Sequence, residues 1–99
     1  MDLSILNANA EAAEALLKAL SNRYRLMLMC ELHKGEKSVT SLQQVVGLSQ
    51  SAVSQHLARL RDEGLVSTRR EAQTIYYALA SENAARVIGT LYEIYCKQD

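Results

Sequence analysis

Two groups of side chains in this sequence are able to do chemistry. The first is the pair of cysteines, Cys30 and Cys96, the only two in the chain. A thiolate is a nucleophile, a metal ligand and half of a redox couple. The second group lies in SQSAVSQHLARLRDEGLV, from Ser49 to Val66. This reads as a helix whose polar side carries serines and glutamines instead of the usual lysines and glutamates.

Val53, Leu57 and Leu60 follow the i, i+4, i+7 rule and set the inward side of that helix. Ser51, Ser54, Gln55, Ala58, Arg59 and Asp62 then point outward, with Gln50 and His56 on the flanks. A helix that enters the major groove needs side chains short enough to let its backbone approach. It also needs donors and acceptors matched to base edges: Gln pairs with adenine, Arg favours guanine, and Ser serves several bases. The plainer reading is a solvated face. Against it, long charged residues make better surface helix than serine, so Ser49, Ser51 and Ser54 cost helix propensity without a structural return. His56 borders the apolar stripe, where a structural hydrogen bond is as good an account as base contact.

Arg69 and Arg70 fall where a strand ends, with Gln73 close to the following turn. A wing would set these arginines on phosphates or in the minor groove; charge that protects an exposed strand end is the alternative. Between residues 49 and 74, Arg59, Arg61, Arg69 and Arg70 face Asp62, Glu63 and Glu71. That small surplus makes electrostatic affinity per monomer modest, and a dimer would double the footprint.

The elements that carry these residues are legible from periodicity and caps. A first helix is expected over about Asn9–Leu20. A second is capped by Ser21 or Asn22, ends at Gly35, and is apolar nearly all round through LMLMCEL. A short third helix, SLQQVVG, is capped by Thr40 or Ser41 and ended by Gly47, with Leu48 as a core plug; Ser49 caps the fourth, and Gly64 stops it. LVSTRR and TIYYAL form a β-hairpin with Glu71, Ala72 and Gln73 near its tip, although the Asn-Gly signal of the tightest turns is missing. Ser81 caps a last helix to about Cys96, striped by Ile88, Leu91, Tyr92 and Tyr95. The expected fold class is mainly α with a small β-hairpin, in the order ααααββα. It is a winged helix-turn-helix spanning residues 1–99 as one domain, with the helix-turn-helix at about 41–63 and the wing at about 65–79.

Composition narrows the function classes. The chain has 99 residues, no proline, 48% apolar residues and zero formal net charge. It is too short to enclose a substrate pocket easily and too neutral for a broad nucleic-acid-coating surface, which favours a local binding face over an enzyme. Apolar runs are too short to span a bilayer, and MDLSILNANAEAAEALL lacks the positive start of a secretory signal. A cytoplasmic protein is expected, whose cysteines form no permanent structural disulfide.

LSQSAVSQHLARLRDEGLVSTRREAQTIYYAL resembles the recognition helix and wing of the ArsR/SmtB family of bacterial repressors, and LLKALSNRYRLMLMCEL resembles that family's early ALSHPxRLxIL segment. The resemblance runs from about Glu14 to Cys96 and is nearest the branch of BigR, SqrR and HlyU. It implies a homodimer joined by the helices at about 9–20 and 81–96, and release of operator DNA by an inducer. In that branch, cysteines at the positions of Cys30 and Cys96 form a dithiol switch. Reactive sulfur species or oxidants link them as a disulfide or polysulfide, and DNA affinity falls. A relaxed disulfide needs Cα atoms about 4.4–6.8 Å apart, and inserted sulfur lengthens that reach. Many family members sense metals. Here the third-helix segment TSLQQVVG has no thiolate and the last helix no histidine; Cys30, His33, His56 and Cys96 are the remaining candidates, and no metal or other cofactor is expected.

The resulting expectation is a repressor that binds an operator, an inverted repeat, through Gln50, Ser51, Ser54, Gln55, His56, Arg59, Arg69, Arg70 and Gln73, and senses through Cys30 and Cys96. The alternatives are a constitutive HlyU-like anti-repressor with incidental cysteines, or a metal-sensing repressor. A small thiol enzyme is disfavoured because the sequence has no C-x-x-C.

Overall fold

The computed structural model describes residues 2–97; the ends of the domain expected over 1–99 lie outside them. The elements run α1 (Leu3–Leu20), α2 (Arg23–His33), β1 (Lys37–Ser38), α3 (Val39–Val46), α4 (Gln50–Asp62), β2 (Val66–Glu71), β3 (Thr74–Leu79) and α5 (Glu82–Tyr95). This is the winged helix-turn-helix order, with one added strand.

Each helix starts where a short polar side chain captures free amides. The Asn22 side chain accepts from the Tyr24 and Arg25 amides at 2.9 and 3.1 Å and starts α2. Ser49 and Ser81 cap α4 and α5 through the amides of Ala52 and Ala84. Two starts differ from expectation. The first helix begins at Leu3, well before Asn9, because Asp2 accepts from the Ser4 amide at 2.9 Å. Its early apolar residues Leu3, Ile5 and Leu6 are exposed, so no inward stripe marks that extension. The third helix is capped by Ser38, not Thr40 or Ser41: the Ser38 hydroxyl accepts from the Ser41 amide. The last helix ends at Tyr95, with Cys96 as its C-cap.

The core is wholly apolar. Leu28 and Met29 of α2, Leu42 of α3, Val53, Leu57 and Leu60 of α4 and Ile88 of α5 are fully buried, and no polar side chain is buried with them among the described residues. Leu48 packs against this cluster from the turn between α3 and α4. The chain leaves α3 through Gly47 at φ +71°, a left-handed conformation that costs glycine little.

The hairpin is joined to β1, giving an antiparallel sheet in the order β1-β3-β2. Two residues carry no periodic signal, so β1 is invisible to pattern reading. In the hairpin Arg69 lies opposite Tyr76, Arg70 opposite Ile75 and Glu71 opposite Thr74. Ala72 and Gln73 form the turn, and Ala72 sits at φ +55°. The left-handed region costs a residue with a Cβ roughly 1–2 kcal/mol. Ala72→Gly is therefore expected to raise stability by about 0.5–1 kcal/mol, the greater freedom of glycine in the unfolded chain offsetting part of the relief. Urea unfolding reads this directly; a loss of stability would show that the turn holds no strain.

Candidate nucleic-acid interface and thiol pair

Full burial of Val53, Leu57 and Leu60 leaves α4 no freedom to rotate. Gln50, Ser51, Ser54, Gln55 and Arg59 are in consequence exposed, and they lie along one side of the helix. The structure separates His56 from them. It is only half-exposed, and its ring stacks on Tyr24 of α2 with centroids 6.0 Å apart and planes inclined by 29°. His56 thus joins α4 to α2. Arg59 pairs loosely with Glu63 at 3.9 Å. It also lies close enough to Arg25 that, after burial, its charge is the second cause lowering the Arg25 pKa. Arg25 in turn donates to the carbonyls of Ala19 and Lys18 and closes the end of α1.

The two wing arginines, alike in sequence, differ in place. Arg70 is exposed and has no ion-pair partner among the described residues. Arg69 is held: its Nε and Nη2 donate to the Glu36 carboxylate at 2.7 Å each, its Nη1 to Glu71 at 2.8 Å, and its guanidinium lies 4.5 Å from the Tyr76 ring centroid. Gln73 is exposed at the hairpin tip. Sequence reasoning missed Glu36, Tyr76 and Tyr24. Glu36 lies 33 positions from Arg69, a distance over which no helical or strand period signals a pair.

The thiols lie on helices that pack together. A Cβ on Gly89 of α5 would stand 3.4 Å from Nε2 of His33 on α2, which shows how closely the two approach. Cys30 is half-buried on α2 and Cys96 exposed at the end of α5. Burial pushes the Cys30 thiol up, and the charge of Cys96 adds to that shift. Lys34 pulls the other way, with a smaller effect. Among the described residues no group of three or more His, Cys, Asp or Glu is gathered as a metal site. No helix among them is long and apolar enough to cross a membrane.

A family profile described as "bacterial regulatory protein, arsR family" matches residues 22–68. The transcriptional activator HlyU of Vibrio cholerae is 46% identical over 97 residues, 98% of this chain and 90% of the relative. The chain belongs to the ArsR family of bacterial regulatory proteins. Among solved structures, the repressor BigR of Xylella fastidiosa superposes with a TM-score of 0.91 at 42% identity, over 99% of this chain and 100% of that one. A homodimeric winged helix-turn-helix DNA-binding domain of Mycobacterium bovis, a possible ArsR-family regulator, superposes at 0.78 with 31% identity, covering 89% and 82%. These relatives are regulators, not enzymes. The family segment of this ArsR chain starts at the α2 cap, takes in the helix-turn-helix and stops inside β2. It contains Cys30 and omits Cys96 and the wing tip.

The two thiols are expected to differ in reactivity. A raised pKa leaves Cys30 less thiolate at neutral pH than a free cysteine, and Cys30 is also less accessible. Alkylation by iodoacetamide, followed by peptide mass analysis, should label Cys96 first and speed up at Cys30 as pH rises. Equal rates at neutral pH would contradict the burial argument.

Proposed function

We propose that this ArsR-family protein is a homodimeric, cytoplasmic repressor that binds a specific operator, an inverted repeat, through α4 and the wing. The observation that carries this is the exposed Ser51-Ser54-Gln55-Arg59 face, held outward by three fully buried residues on the same helix. Gln55 and Ser54 read base edges in the major groove, with Gln50, Ser51 and Arg59 at the margins. Arg70 and Gln73 meet the backbone or minor groove beside it. His56 acts from behind, by fixing α4 against Tyr24.

The dimer follows from apolar surface that the monomer leaves in water. Leu3, Ile5 and Leu17 of α1 are 73%, 64% and 61% exposed, and Ile94 and Tyr95 of α5 are exposed as well. Such surface on both helices suits a second copy.

Cys30 and Cys96 are the sensor in this reading. An oxidant such as peroxide takes two electrons and two protons from the thiols to leave a disulfide. With sulfane sulfur, two thiols and two sulfur atoms give a bridged trisulfide and one hydrogen sulfide, which carries off both thiol protons. Either link ties α2 to the end of α5 and shifts the recognition helices relative to the dimer axis. The close packing of α2, which carries Cys30, on α5, which Cys96 caps, supports it. A second reading, constitutive DNA binding with incidental cysteines, draws support from the upward-shifted Cys30 thiol, which no strong cation activates.

Intact mass of the reduced protein, treated with inorganic polysulfide without oxygen, separates the two. A product heavier by whole sulfur atoms and lacking two hydrogens, absent in Cys96→Ser, is expected. An unmodified mass, or adducts on one cysteine only, would leave the second reading. On DNA, Gln55→Ala is expected to cost about 1–3 kcal/mol and relax choice at one base position. Arg70→Ala should weaken binding to all sequences and reduce the salt slope by about one. Equal losses across operator variants for Gln55→Ala would sink the base-reading role.

A further inference from the structure

Arg69 is the most heavily engaged side chain of the wing. It starts on the outer strand β2, opposite Tyr76 of the middle strand, which is itself opposite Ser38 of β1. The guanidinium crosses the sheet over the Tyr76 ring and ends on Glu36, the residue before β1. All three of its nitrogens are committed to carboxylates. Three of its five N–H donors are so used, and the bidentate edge that would suit a phosphate is taken by Glu36.

We infer that Glu36 is a positioning residue for DNA binding: through Arg69 and Tyr76 it fixes the angle of the hairpin relative to the helix-turn-helix, and so aims Arg70 and Gln73. This deepens the DNA-binding reading above and rests on it. The anchor point suits the task. Glu36 belongs to the short link between α2 and α3, where Ser38 caps α3, so a tie from the wing to Glu36 is a tie to both helices. The strand pairing at this place is only Lys37 with Tyr77 and Ser38 with Tyr76. A bidentate Arg–carboxylate contact adds the orientation that two residue pairs do not supply. Arg69 and Glu36 are about half and a third exposed, so the contact adds little to folding stability, and its effect falls on geometry. A phosphate is also a bidentate acceptor for guanidinium. The rival reading is therefore that DNA strips Arg69 from Glu36, and the two readings give opposite results when Glu36 loses its charge.

The probe is a duplex that the wild-type protein selects from a randomised pool, titrated over a range of salt. Glu36→Gln and Arg69→Gln are each expected to weaken binding about tenfold, with the slope of log affinity against log salt unchanged, because neither removes a phosphate contact. The double variant should bind no worse than either single one, since both act through one contact. Unfolding midpoints should stay near wild type, while amide hydrogen exchange in residues 69–76 of both single variants quickens. Three results overturn the inference: Glu36→Gln binding as tightly as wild type or tighter, Arg69→Gln flattening the salt slope by about one, or fully additive losses. A wild-type protein that enriches no duplex overturns the DNA-binding reading itself, which is a different failure from any of these.

Discussion

The structure depends on the locking of α4. Burial of Val53, Leu57 and Leu60 against Leu28, Met29 and Leu42 fixes both the height and the rotation of that helix. Turning it by a single residue, about 100°, would bring Ser54 and Arg61, or His56 and Arg59, into a core that contains no polar partner. The composition of the outer face is thereby freed from any duty to packing. Poor helix formers are tolerated there because the other side, together with the Ser49 cap, secures the helix.

The sequence made the α4 face, the caps at Ser49 and Ser81, the glycine stops and the hairpin strands legible, since each depends on residues within a few positions of one another. What it left unread depends on distance or on unusual starts. The Asp2 cap and the Ser38 cap are local, yet each sits apart from the apolar stripe that guided the reading. Of the site residues, the exposed members of α4 lie where periodicity places them. His56 and Arg69 do not behave as free surface groups, because their partners Tyr24 and Glu36 are brought to them by the fold. The two arginines side by side in STRREAQ look equivalent on paper. Strand alternation sends them to opposite faces of the sheet, and only one meets a carboxylate across it.

The thiols follow another logic. Cys30 lies on α2 and Cys96 caps α5, two helices that pack together, and burial disfavours the thiolate at Cys30. In the sensor proposed above, the exposed Cys96 would be first to meet a reagent and Cys30 would resolve the adduct. Burial would set that order of events.

The bare apolar residues of α1 and α5 have a consequence for abundance. Each large side chain moved out of water contributes roughly 1.5–3 kcal/mol, so in the homodimer proposed here much of the folding free energy belongs to the pair. Mass action then links fold and function: at low copy number the chains are separate, less stable and exposed to proteolysis, and at high copy number they protect one another. Operator occupancy would rise more steeply than in proportion to synthesis, giving a threshold that requires no ligand at all.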